Sequence, residues 1–213
     1  MALHNDRSIG GQIGGKVFAV VLSSFGARQY AKRLFDIVAA ATTLVLLSPI
    51  MLIVSVAVKI DSRGPVFSRE TLYGYGNRSI RVPKFRSMKI CVETSRFNFG
   101  VTPVGRMLRQ TGIDELPQLL QVLHGEMSIV GPRPHASRQY LFGSTIMPLL
   151  NVKPGMISWS QIAESREGFR TTEQRIDDDR YYVENWSFFL DIKIILIRTF
   201  SQRACASNDL PMP

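Results

Sequence analysis

Asp114 and Glu115 stand side by side in "GIDELPQLLQVLHGEMSIVGPRP", the stretch from Gly112 to Pro134. Adjacent carboxylates ahead of a proline and an apolar helical pattern support two accounts. In the structural one, Asp114 is the N-cap of a helix carrying the stripe Leu116, Leu119, Leu120 and Leu123. Pro117 then falls in the first turn, where its missing donor costs nothing, and Glu115 suits the positive end of the macrodipole. In the chemical one, the two acids divide labour. One stays ionised as a nucleophile toward a phosphoryl or glycosyl centre, while the other holds a divalent cation such as Mg2+. Arg133 lies between Pro132 and Pro134, which fix its backbone. That is either a plain polyproline turn or a preorganised guanidinium for bidentate phosphate contacts. Lys84 and Arg86, in "KFRSM", lie two apart and share a face if the segment is a strand, facing phosphate, lipid headgroups or only solvent.

The chain around these residues narrows the partners. Its 213 residues suffice for one domain with a core, and the net charge of +9 favours anionic partners. Nucleic acid is disfavoured: the basic residues are scattered, and there is no finger spacing, RNA-binding strand motif or basic heptad. Cys91 and Cys205 are too isolated for a metal cluster or disulfide framework, and His4, His124 and His135 show no ligand spacing. His124, inside an apolar run, reads as partly buried or interfacial.

From Ile37 to Val58 the sequence "IVAAATTLVLLSPIMLIVSVAV" carries no charge. Its roughly 22 residues would cross a hydrocarbon core as one straight helix. Pro49 at its middle argues for a break, and Ser48 can hydrogen-bond a carbonyl that the proline frees. Lys32 and Arg33 precede the run, and Lys59 and Arg63 follow it, so both ends carry the positive charge that marks the cytoplasmic side. A re-entrant helix satisfies both observations; a bitopic anchor satisfies only the length, and a buried core helix fits so long an uncharged run less well. Residues 1–29, glycine-rich and only superficially like a signal peptide, are expected to form a weakly ordered tail. Residues 30–60 are the re-entrant element, 61–200 a compact catalytic domain and 201–213 a second tail.

Within that domain the pattern predicts short strands around a turn at Gly74–Asn77, a short helix at "VGRMLRQ", and a polar helix over Thr171–Asn185. The segment "WSFFLDIKIILIRTF", with Asp191, Lys193 and Arg198, suits the membrane surface or the core equally. The fold class is α+β and helix-dominated, with interfacial helices.

Taken in order, the Ser-Pro break, "SRGPVF", "KFRSM", "IDELPQLLQVLHGEMSIVGPRP" and "KPGMISWSQ" strongly resemble the bacterial sugar transferase family. These are monotopic polyprenyl-phosphate phosphoglycosyl transferases that begin exopolysaccharide or surface glycan synthesis, and the resemblance runs from about Tyr30 to Phe200. It implies transfer of a hexose 1-phosphate from a UDP-hexose to undecaprenyl phosphate, with release of UMP, at the cytoplasmic face of the bacterial inner membrane. It implies Asp114 as the nucleophile that forms a covalent phosphosugar intermediate and Glu115 as a Mg2+ ligand. Arg133, Lys84 and Arg86 would bind phosphates, and Ser48-Pro49 would shape the re-entrant helix. The partners are then the UDP-sugar, undecaprenyl phosphate and the membrane, with a homo-oligomer left open. Departures from the family pattern fall at Glu70, Leu72, Asn98, Gly100, Glu126 and in "KPGMISWSQIAESR", including residues 163–165. They leave the sugar unassigned and keep a catalytically impaired accessory or scaffold protein of the same pathway as the alternative.

Overall fold

The uncharged run lies within one helix, α1, which the computed structural model extends over Ile9–Asp61. Residues 9–89, 100–135 and 147–205 are described, with side chains for 28–89, 100–135 and 149–200. Along α1, Asp36, Ala40, Leu44, Met51, Val54 and Val58 recur at helical spacing and form the face packed on the rest of the chain. The opposite face is apolar and bare: Val45 is 73% exposed, Leu46 70%, and Leu52 and Ile53 both 68%. A soluble helix would carry polar residues there, so this face suits a lipid solvent.

One expectation meets a different backbone. The helix runs unbroken through Ser48-Pro49, where a break was expected. Ser48 Oγ donates to Val45 O at 2.8 Å, serving the carbonyl four residues before Pro49 that has lost its usual donor. Helix α1 is described from Ile9 onward, and at the other end the last helix continues to Cys205. Residues 1–8 and 206–213 lie outside the described residues, as do Cys91 and Asn98.

After α1, β1 (Phe67–Tyr73) and β2 (Ser79–Phe85) form an antiparallel hairpin around a 3-10 turn at Tyr75–Asn77. Alternation places Leu72, Ile80 and Val82 on the core face, and Glu70 and Lys84 continue that face toward the hairpin's open end. Helix α2 (Pro103–Thr111) is capped by Thr102, whose side chain accepts from the Gly105 N–H at 2.9 Å. Gly112, at φ 67°, ends α2 and leads directly into a 3-10 turn over Ile113–Gln118 and then α3 (Leu119–His124). Strands β3 (Ser128–Val130) and β4 (Gly155–Ile157) pair in parallel, with the short α4 (Met147–Leu150) between them in the chain. Just beyond β3 the chain passes very close to β4: a Cβ on Gly155 would lie 2.1 Å from Gly131 N. Helices α5 (Trp159–Glu167), α6 (Thr172–Glu184) and α7 (Phe188–Cys205) follow, α5 and α6 each opened by a capping box. The fold is α+β and helix-dominated.

The charges flanking the apolar run hold α1 to this domain. Arg33 donates to Val122 O and Leu123 O at 2.6 and 2.9 Å, satisfying carbonyls at the end of α3. Lys32 Nζ pairs with the buried Asp191 at 2.5 Å and reaches Val130 O. At the far end, Val54 and Val58 pack with Phe85 and Leu108. Each such buried side chain contributes about 1.5–3 kcal/mol, so α1 is tied to the same body at both ends of its apolar run.

Candidate active site

Three residues per turn make the side chains of a 3-10 helix eclipse at i and i+3. The Ile113–Gln118 turn therefore has three edges with different surroundings. Ile113 and Leu116 each pack against an apolar cluster, Leu116 against that of Leu119 and Val122 among others, Ile113 against that of Phe85 and Leu108 among others. Glu115 and Gln118 line a cavity of about 320 Å³. Asp114 and Pro117 occupy the edge between. The anticipated N-cap role of Asp114 is not realised, because the turn has no side-chain cap hydrogen bond and α3 begins later, at Leu119. The left-handed Gly112 joins α2 to the turn without leaving an extended residue to serve as cap. Leu116, Leu119 and Leu123 do pack in the core, whereas Leu120 is 44% exposed. Of the two expectations for His124, partial burial is not met: it is exposed at the end of α3.

The hairpin packs against this turn and brings Lys84 to it. Lys84 lines the same cavity and pairs with Glu70 at 3.3 Å. Asp114 itself is half-buried and does not contribute to the cavity lining. Burial and the neighbouring Glu115 raise its pKa above the ordinary carboxylate value, while Lys84 and Arg109 oppose the shift. The expected effect of a helix N-terminus, a carboxylate made easier to ionise, is thus outweighed by desolvation. Ionisation of Asp114 is helped by Lys84 and Arg109 instead.

Arg133 reaches the cavity from beyond β3, beside Pro134 and His135. Its rigidity has a source besides the two prolines: Asp179 Oδ2 accepts the Arg133 N–H at 2.7 Å, and Pro132 O accepts the Gly155 N–H at 2.9 Å. The Arg133 side chain is 44% exposed and lies 3.8 Å from Glu164, which also binds Arg175 at 2.5 Å. His135, next to Arg133, has its pKa lowered by burial and by that guanidinium, so the imidazole is neutral near pH 7.

Arg86 is not brought to the cavity. Strand β2 ends at Phe85, and the buried Arg86 guanidinium donates to Val58 O, Ser62 O, Ser62 Oγ and Arg63 O. It closes the C-terminal end of α1, where carbonyls lack helical partners. Of the five charged residues singled out from sequence, Glu115, Lys84 and Arg133 share one cavity, Asp114 stands beside it, and Arg86 serves the fold.

The sequence reading missed the floor of the site. Asp179 is 1% exposed, lines the cavity, and accepts the Ser160 N–H at 3.0 Å in addition to that of Arg133. Burial pushes its pKa up to about 6, against the lowering effect of those donors. Its signal was available: Ile176, Asp179 and Tyr182 repeat at three-residue spacing, which puts the acid on the buried face of α6. Gln118, Gln161 and Arg175 also line the cavity and escaped notice. Leu72 supplies an apolar patch of its wall.

Among the described residues no group of three or more His, Cys, Asp or Glu forms a cation cage. Mg2+ does not require one, since it takes one or two carboxylates and completes its shell with water and substrate phosphate oxygens. Glu115, a carboxylate on the cavity wall facing phosphate-sized space, fits that pattern.

Residues 27–204 match the bacterial sugar transferase family. The chain is 40% identical over 188 residues to the UDP-glucose:undecaprenyl-phosphate glucose-1-phosphate transferase of Klebsiella pneumoniae, covering 82% of this chain and 40% of that protein. It is 38% identical to the exopolysaccharide production protein PSS of Rhizobium leguminosarum bv. phaseoli, covering 77% of this chain and 90% of the relative. It is 39% identical to an Aeromonas hydrophila UDP-N-acetylgalactosamine-undecaprenyl-phosphate N-acetylgalactosaminephosphotransferase, covering 80% and 43%. The chain thus spans about two fifths of the length of the first of these relatives. The match over most of its length shows that the chain belongs to the bacterial sugar transferase family.

Proposed function

We propose that the protein transfers a hexose 1-phosphate from a UDP-hexose to undecaprenyl phosphate, releasing UMP, as the first membrane step of exopolysaccharide or surface glycan synthesis. The convergence of Glu115, Lys84 and Arg133 on one cavity beside Asp114 carries this reading, and the names of the relatives agree with it. In the first step an Asp114 carboxylate oxygen attacks the phosphorus that bears the sugar. The bond from that phosphorus to the bridging oxygen breaks, and UMP leaves with the electron pair. In the second, an oxygen of undecaprenyl phosphate attacks the same phosphorus, the acyl phosphate bond breaks, and the Asp114 carboxylate is regenerated. Arg133 and Lys84 orient the donor phosphates and offset their charge. Bound at Glu115, Mg2+ would supply further neutralisation of the diphosphate.

The position of Asp114 suits two substrates arriving from different sides. Glu115, on one side of it, faces the cavity, whereas Ile113, on the other, packs against the cluster that Val54 and Val58 of α1 form with Phe85 and Leu108. The donor reaches Asp114 from the cavity and the lipid phosphate from the α1 side. The reading places α1 in the cytoplasmic leaflet as a re-entrant element rather than a span. In its support, residues 32–36 and 54–63 are both anchored to the same domain, and a domain on one face of the bilayer could not hold both ends of a helix that crosses it.

The sugar is assigned by testing a panel of UDP-sugars with the full chain in undecaprenyl-phosphate-containing vesicles, scored by UMP release. Release with at least one sugar is expected. Absence of release across the panel would favour the accessory reading, which Leu72 and the Glu70–Lys84 pairing motivate.

A further inference from the structure

A second cavity, of about 290 Å³, opens where the N-terminal part of α1 meets the start of α7, away from Asp114. Arg28 and Lys32 line it from α1, and Trp186, Ser187, Phe188 and Phe189 from α7 and the residues before it. The two cations differ. Lys32 is neutralised by Asp191 and lies 5.7 Å from the centre of the Trp186 ring. Arg28 is exposed, with no carboxylate at ion-pair distance among the described residues. The net charge offered to the cavity is therefore positive, on walls that are mainly aromatic.

Its surroundings say where this charge sits. Arg28 and Lys32 fall roughly two and a half and one and a half turns before the apolar run that begins at Ile37. The exposed apolar face of α1, with Leu34 64% and Val38 55% exposed, continues from the cavity on one side. On the other lie Phe189, 84% exposed, then Leu196 and Phe200 along α7. Phe35 joins the two helices by an edge-on contact with Phe188 at 5.2 Å. An arginine at the head of two converging apolar faces, ringed by Trp and Phe, matches the level of lipid headgroups.

We propose that this cavity is a binding site for an anionic phospholipid of the bilayer. Its phosphate meets Arg28, its glycerol region the Trp186 and Phe188 rings, and its acyl chains the Leu34, Val38 and Phe189 face. The site rests on the membrane setting of α1 but not on the chemistry assigned to Asp114. A lipid held here also fixes the α1–α7 junction at a set depth, because Lys32 ties that junction to Asp191 and Val130.

The test reads lipid contact instead of turnover, so it is independent of the catalytic reading. Trp159→Phe leaves Trp186 as the sole tryptophan of the full chain. The variant is reconstituted in phosphatidylcholine vesicles containing either brominated phosphatidylglycerol or brominated phosphatidylcholine at matched mole fraction. Several-fold stronger quenching of Trp186 by the phosphatidylglycerol is expected, and Arg28→Gln should reduce that preference about fivefold, as for one basic residue at a membrane surface. Equal quenching by the two lipids, or a preference untouched by Arg28→Gln, overturns the proposal. So does reversal of quenching by inorganic phosphate or by a stoichiometric amount of undecaprenyl phosphate, which would give the site to a soluble anion or to the acceptor. Quenching that disappears as protein density in the vesicles rises assigns the face to a second copy and likewise overturns it.

Discussion

Asp179 holds Arg133 through the backbone: its Oδ2 accepts the Arg133 N–H at 2.7 Å while its Oδ1 accepts the Ser160 N–H at 3.0 Å. One buried carboxylate thereby fixes the loop after β3 to the start of α5. Asp179→Asn can present one acceptor to the two N–H groups, leaving the other donor buried and unpaired, at a cost of about 1–3 kcal/mol. Thermal melts in detergent should show the loss, together with a weaker dependence of UMP release on donor concentration.

The same group sets a pH dependence of stability. With its pKa raised to about 6, Asp179 binds its proton more tightly in the folded state than in the unfolded one. Its contribution to stability is full below the ordinary carboxylate range, falls as pH rises through about 6, and is flat above. Melts from pH 4 to 7 should show this decline in the wild type, and Asp179→Asn should remove that component.

Asp114 is pushed toward protonation by burial and Glu115 and away from it by Lys84 and Arg109. Two substitutions should therefore move its titration in opposite directions. Lys84→Met raises the pKa of Asp114, so the acid limb of the pH–rate profile shifts to higher pH. Glu115→Gln lowers it and shifts that limb to lower pH. Parallel shifts in the two variants would remove Asp114 from the rate profile.

Arg86 serves four acceptors at the end of α1 from a nearly fully buried position. A lysine there has one ammonium and cannot span Val58, Ser62 and Arg63 together. Arg86→Lys should destabilise the fold by about 2–3 kcal/mol, read as a lower melting temperature. The KM for the UDP-sugar should stay near its wild-type value in the fraction that remains folded; a large rise in KM would return Arg86 to the phosphate site.

Ser48 and Pro49 act as a pair in α1. Ser48→Ala strands Val45 O in an apolar surrounding, at a cost of about 1 kcal/mol, and the double change Ser48→Ala with Pro49→Ala should recover it by restoring the backbone donor. Single cysteines at Tyr30 and Asp61 should label from one side of sealed vesicles, since both ends of the apolar run are anchored to one domain. Labelling from opposite sides would make α1 a span.

What could be read without the structure follows from the range of the interactions. The hairpin around Gly74–Asn77, the short α2 and the polar α6 are written in local periodicity and turn chemistry, and each was legible. So was the pairing of Ser48 with a carbonyl freed by Pro49. Arg86 was misplaced because strand alternation said which face it shares with Lys84, not that β2 would end one residue earlier beside α1. The structural account of Asp114 made it an N-cap because Pro117 fits a first α-turn; a 3-10 turn from Gly112 satisfies the same proline. Asp179 went unseen because its two partners, Arg133 and Ser160, lie 46 and 19 residues away in sequence. Lys32 and Arg33 were read as markers of membrane orientation, yet both spend their charge on Asp191 and on α3 carbonyls.

The central claim is that Asp114 forms a covalent bond to phosphorus, and the intact mass of the protein tests it most directly. Incubated with its UDP-sugar and without undecaprenyl phosphate, the wild type should gain the mass of a hexose phosphate and release UMP in a single burst. Added undecaprenyl phosphate should then discharge the adduct. Asp114→Asn should show neither mass gain nor burst while remaining folded. An Asp114→Asn protein that still gains the hexose phosphate, or turns over at a near-normal rate, would contradict the account.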